Sequence, residues 1–203
     1  MSDEAARKPK RKGLFRTVEG AVVAAIAVIL AGLVVPTVQT WRVRSHESRA
    51  RDDLSRIRDA ILRFVADNGM APSRSRDGRD GALYRMIGSG LIPEGAYYFP
   101  DDRQGFLDHH LHVNRPQGAK GAPYPDWRGP YLDRVVADPW GFAYVVVLYP
   151  LVREDDRDCL VVSAGRNGIL DADYAAARDP IAAGDDLLEI VFDKSPERRA
   201  PIR

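Results

Sequence analysis

The sequence predicts an α+β protein in which one long N-terminal α-helix lies on a small antiparallel β-sheet. Three observations point to it. An uncharged apolar run, Ala21–Val35, leads into Leu54, Ile57, Ile61, Leu62, Phe64 and Val65, which recur at helical spacing. Three later runs, 142–149, 159–165 and 186–192, are rich in β-branched and aromatic residues and read as strands. Asn68-Gly69, with Pro72 close behind, marks the point where the helical pattern stops.

The first element opens with a basic leader, residues 1–14, holding Arg7, Lys8, Lys10, Arg11 and Lys12. Residues 15–40 are mainly apolar, and about 20 such residues span a hydrocarbon core. Basic residues before the span place the N-terminus in the cytoplasm and the rest of the chain on the far side. In a bacterium that is a single-pass inner-membrane protein with a periplasmic domain, residues 41–192. A carboxylate, Glu19, stands inside this span, and an ionisable group in lipid marks a functional site by default. The plainer alternative is that Glu19 snorkels, or pairs with Arg16 one turn away. A helix from Phe15 to Asp67 would be about 80 Å long, and Pro36 should bend it by removing a backbone donor.

Beyond the helix, 73–81 reads as a polar loop and 82–92 as a short second helix ending near Gly88. Residues 93–130 are rich in Pro, Gly and aromatics, and read as an irregular ordered loop over the core. Within it, His109, His110 and His112 read as solvated loop histidines, with a zinc site including Asp108, and a metal hydrolase built on it, as the alternative. Asp138-Pro139-Trp140-Gly141 is a turn. Trp127, Tyr131, Trp140 and Tyr144 are expected to form a packed aromatic core beneath it. The acidic stretch 153–158 reads as a solvated hairpin loop, and 193–203 as a disordered tail.

Composition narrows the function. There are 30 Lys+Arg against 29 Asp+Glu, so no global field favours nucleic acid. Cys159 is the single cysteine, which excludes an intrachain disulfide. Neither a phosphate-binding glycine loop nor a Ser-His-Asp order nor paired acid/base carboxylates can be picked out, and no enzyme is expected.

Phe15, Thr17, Glu19, the apolar run and Pro36 resemble the N-terminal helix of type IV pilin-like proteins. The order "RGPYL", "DPWG-x-x-Y", "SAG-x-x-G" and "GDD" is similar to that of the major pseudopilin of type II secretion, the general secretion pathway protein G family. The resemblance covers about 15–192, with 93–126 as an insertion atypical of that family. It implies a pilin-like fold and a structural subunit that polymerises in the periplasm to drive export of folded proteins. It also implies a processing site at Gly13, Leu14 and Phe15. There a prepilin peptidase cuts before Phe15 and methylates the new terminus. Glu19 and the Phe15 amine of a neighbouring subunit would then pair during assembly. The implied partners are other pseudopilins, copies of this chain, the peptidase, the inner-membrane secretion platform and membrane lipid.

The loop between the last two strands holds Asn167, Asp171, Asp173, Asp179, Asp185 and Asp186. Carboxylate and carbonyl oxygens in such a loop suit a hard cation. The resemblance implies calcium, with Asp185 and Asp186 matching the family's pair, while Asp171 and Asp173 are candidates from local chemistry. A solvated acidic loop, with Asp186 capping a turn, is the plainer alternative. A second functional reading is also open, in which the chain stays uncut and anchored, and its periplasmic head binds calcium or a partner.

Overall fold

The computed structural model describes residues 12–74, 85–96, 104–116, 123–134, 137–148, 159–172, 174 and 181–192; within the helix, side chains are described at 20–29 and from 43 onward. The chain divides into two compact units, Met1–Ser45 and His46–Arg203. Helix α1 spans Lys12–Asn68. The helical run continues through Pro36.

In the first unit, residues 20–29 are exposed, including Val22, Val23, Ile26, Val28 and Ile29. Among the described residues, no helix is long and apolar enough to cross a membrane. Described side chains cover only part of the 15–40 span. Those of Phe15 and Glu19 lie outside them, so their proposed pairing has no described geometry.

In the second unit the sequence stripe becomes a packed face. Leu54, Ile57, Ala60, Ile61 and Phe64 are buried. The helix ends where Gly69 takes a left-handed φ of 68° and its N–H donates to the Val65 carbonyl at 2.9 Å. A glycine accepts that conformation without a steric penalty from Cβ.

Five strands follow: β1 (Arg85–Ile87), β2 (Gln104–Phe106), β3 (Val145–Val147), β4 (Cys159–Ser163) and β5 (Leu187–Phe192). Their order across the sheet is β2-β1-β3-β4-β5. The β1–β3, β3–β4 and β4–β5 pairs are antiparallel, whereas β1–β2 is parallel. The sheet is therefore mixed, not wholly antiparallel as expected. The extra strands come from segments read otherwise. Part of the expected 82–92 helix is β1, because Arg85–Ile87 pairs with the β-branched Val145–Val147. Pairing of this kind outweighs a weak local helical preference. The region expected to be irregular contains β2 and a π-helical turn, Asp108–His112. The three expected strands are present in shorter form, and Phe142 makes only an isolated bridge to Leu91. The 75–81 portion of the first loop, the acidic stretch 153–158 and the tail lie outside the described residues.

Alternation along the strands sends side chains to two separate cores. Val146, Cys159, Val161 and Val191 face α1 and join the cluster around Leu54, Ile57, Ile61 and Phe64. The same cluster takes Leu107, Leu111, Tyr124, Tyr131 and Leu132 from the insertion and the segment after it. Val147, Leu160 and Val162 point the other way and meet Tyr174, Leu170, Ala172, Leu188 and Ile190. Leu170, Ala172 and Tyr174 of the loop after β4 thus cover the sheet face opposite the helix. Burial on both faces explains why the central strands read as unbroken apolar runs.

The aromatic expectation holds for three of four residues. Phe64 meets Tyr124 and Tyr131 edge-on, with ring centroids 4.8 and 5.4 Å apart. Trp127 packs on Tyr131, and Tyr144 is buried in the same cluster. Trp140 is the exception: it is half-buried and sits beside His46, outside that core. Arg58 joins the helix to the sheet edge through an ion pair with Glu189 of β5.

Candidate functional site

The acidic loop leaves β4 at Ser163 and returns at β5. Its base is a pinch. A Cβ at Gly165 would collide with the Asp185 carbonyl, and Gly165 has φ 60°, so only glycine suits the position. Across the pinch, Asp185 Oδ2 accepts hydrogen bonds from the backbone N–H groups of Arg166 at 2.7 Å and Asn167 at 3.0 Å. Asn167 Oδ1 accepts from the Ile169 N–H at 2.8 Å, and its Nδ2 donates to Asp171 Oδ2 at 3.2 Å.

Asp186 works inward. It is buried, and its Oδ2 accepts from the Asp171 N–H at 2.8 Å and from the Tyr174 hydroxyl at 2.6 Å. Tyr174 in turn accepts from the Ala183 N–H at 3.1 Å. Among the described residues, the other oxygen, Asp186 Oδ1, is buried without a hydrogen-bond partner. Burial raises the Asp186 pKa above the ordinary carboxylate range, and the neighbouring charges of Asp171 and Asp185 push the same way. Burial, then the bond to Asp186, raises the Tyr174 pKa as well. An acceptor lone pair without a donor, in a site that disfavours negative charge, is a place where a cation would be stabilising.

The structure therefore brings Asp171, Asp185 and Asp186 into one hydrogen-bonded loop. Asp185 serves the 166–167 turn, while Asp186 serves Asp171 and Tyr174. Among the described residues, no three His, Cys, Asp or Glu side chains converge as a group that could hold a metal ion. Asp173 and Asp179 lie outside the described residues. Sequence reasoning missed Tyr174, whose hydroxyl anchors Asp186. The signal available was an aromatic residue beside aspartates in an otherwise small-residue loop.

A second anchor lies in the turn before β3. Asp138 is buried; its Oδ1 accepts from the N–H groups of Trp140 and Phe142, and its Oδ2 accepts from the Ser163 hydroxyl at 2.7 Å. The turn was legible, but its tie to the end of β4 was not.

The histidine cluster departs from expectation. His110 is fully buried, and its Nδ1 lies 2.7 Å from the Tyr124 hydroxyl. Burial, then the neighbouring His109, lowers its pKa to about 3, so the ring is neutral at ordinary pH. His112 Nδ1 lies 3.0 Å from the Leu132 carbonyl oxygen, and His109 stacks edge-on against Phe106. Each ring serves a different partner. His110 is thus a buried packing group rather than a solvated residue, His109 and His112 are half-buried, and the three form no metal group among the described residues.

Helix, mixed sheet and covering loop define an α+β protein. Family models, curated proteins and solved structures give no match to the chain.

Proposed function

We propose that the chain is a pseudopilin-like structural subunit of a type II secretion apparatus, inserted in the bacterial inner membrane and polymerising in the periplasm. The observation that carries this reading is Glu19, four residues after Phe15 at the head of an uncharged run, in a helix whose other half packs on a sheet. A carboxylate in lipid is tolerable when a cation meets it. Staggered subunits would supply one, as the Phe15 amine freed by processing, so charge neutralisation would set the register. The helix packed on a sheet supports this reading.

Processing tests the reading. Co-expression with a prepilin peptidase should remove residues 1–14 and leave a methylated Phe15, seen by intact mass and N-terminal sequencing. A chain recovered whole sinks it. Leu14, directly before Phe15, favours a second reading: a bulky residue at the cut leaves the protein uncut, as a permanently anchored binding module.

Calcium is the proposed ion of the acidic loop. Asp186 Oδ1, buried without a partner among the described residues, supports it, as does the all-oxygen chemistry of Asp171, Asp185 and Asp186. With Asp173, these residues would hold the ion, which would supply charge neutralisation and fasten the loop in a chain that has no intrachain disulfide.

A further inference from the structure

The chain contains the dipeptide Asn-Gly twice, at Asn68-Gly69 and Asn167-Gly168, and the fold places the two in opposite circumstances. From this contrast we infer that Asn167 is a site of spontaneous deamidation and isoaspartate formation, and that Asn68 is protected.

The reaction needs a backbone nitrogen able to reach the asparagine side-chain carbon. The nitrogen of the following residue attacks Cγ and gives its proton to solvent base. Ammonia leaves from the former amide, and a five-membered succinimide closes. Water then opens the ring at either carbonyl, to aspartate or to isoaspartate. The net change is one water consumed and one ammonia released, with no oxidant or reductant. Glycine as the following residue removes the side chain that would obstruct closure and frees the backbone to rotate.

At Asn68 the nucleophile is occupied. The Gly69 N–H donates to the Val65 carbonyl as the closing bond of α1. Asn68 Nδ2 also donates to the Phe64 carbonyl at 3.0 Å and to the Tyr131 hydroxyl at 3.2 Å. Attack would require the last turn of the helix to open.

At Asn167 the side chain is also hydrogen-bonded, but the nucleophile is not. The residue is exposed, in the turn beside the pinch, where its own N–H donates to Asp185 Oδ2. No described group accepts a hydrogen bond from the Gly168 N–H; only the Gly168 carbonyl is engaged, by the Glu94 N–H at 2.9 Å. Asn167 Oδ1 accepts from the Ile169 N–H, and the ring this bond closes includes the Gly168 nitrogen. The side chain is therefore folded back along the peptide that attacks it, and the bond polarises the carbonyl under attack. Gly168 is buried against the Phe142 ring, while Asn167 itself is exposed.

The product alters the loop. Asn167 Nδ2 donates to Asp171 Oδ2, and deamidation replaces that donor with an acceptor and a negative charge. A carboxylate then faces a carboxylate. This holds whether or not the loop binds an ion.

Peptide mapping of the folded full-length protein, aged at mildly alkaline pH, tests the inference. The peptide containing Asn167 should gain the mass of an acid replacing an amide and become a substrate for isoaspartate methylation, while the Asn68 peptide stays unchanged. In denaturant both sites should react. Asn167→Gln, whose side chain is one methylene longer and would have to close a six-membered ring, should abolish the methylation signal of the folded protein. Gly168→Ala is a poor test because its Cβ would collide with the Phe142 ring. Equal rates at the two sites in the folded state, or an Asn167 as stable as Asn68, would overturn the inference.

Discussion

A histidine enclosed beside a tyrosine hydroxyl has to fold as the neutral ring, because burial penalises the imidazolium. In the unfolded chain the His110 pKa is about 6.5, and in the folded protein it falls to about 3. Between those values the unfolded state binds the proton and the folded state does not. Stability therefore rises with pH across that window, and the His110 contribution is lost as pH falls below about 6.5. His110→Gln keeps a polar partner for Tyr124 but cannot titrate. Melting temperature measured from pH 7 down to 4 should fall less steeply in this variant than in the parent. A slope identical to the parent's would remove His110 as a source of acid sensitivity. This residue also shows what a sequence conceals. In "LDHHLHVN" polarity suggests solvent, and the enclosing partner, Tyr124, lies 14 residues further on. The cluster of aspartates around Asp186 was legible in the sequence, but Tyr174, its anchor, was not. Side-chain burial is decided by contacts distant in sequence.

Among the elements, α1 was the most legible and β1 the least. The helical stripe, Leu54 to Phe64, recurs with the period of a helix, and its stop signal stands at Gly69. Residues 85–87 carry no such pattern; they become a strand because β3 offers them a β-branched partner. Strands 145–147, 159–163 and 187–192 announced themselves by composition, whereas the parallel β1–β2 pair depends on a return through the insertion. The helix–sheet joint has a centre at Phe64, fully buried and edge-on to two tyrosines. Phe64→Ala should cost about 3–5 kcal/mol in urea unfolding, the usual range for deleting a buried aromatic ring. A loss below about 1 kcal/mol would mean that the joint repacks without it.

At the scale of the second unit, the part of α1 from Leu54 on packs on one face of the sheet, and Leu170, Ala172 and Tyr174 of the acidic loop on the other. The proposed ion would act on the whole fold through that second layer. A ligand that binds only the native state stabilises it by about 2.7 kcal/mol at 100 times its dissociation constant. Calcium should therefore raise the melting temperature of the parent, and the double substitution Asp185→Ala with Asp186→Ala should remove the rise. A rise that persists in the double variant would exclude both residues as ligands.

The neck at Gly165 and Asp185 has one more consequence. The loop is gathered at its root and fastened again where Tyr174 meets Ala183, so segments grafted between those two residues would leave both gathers intact. Each doubling of a flexible loop adds only about 0.6 kcal/mol of closure entropy. Length added there should therefore leave the pairing of β4 with β5 unchanged.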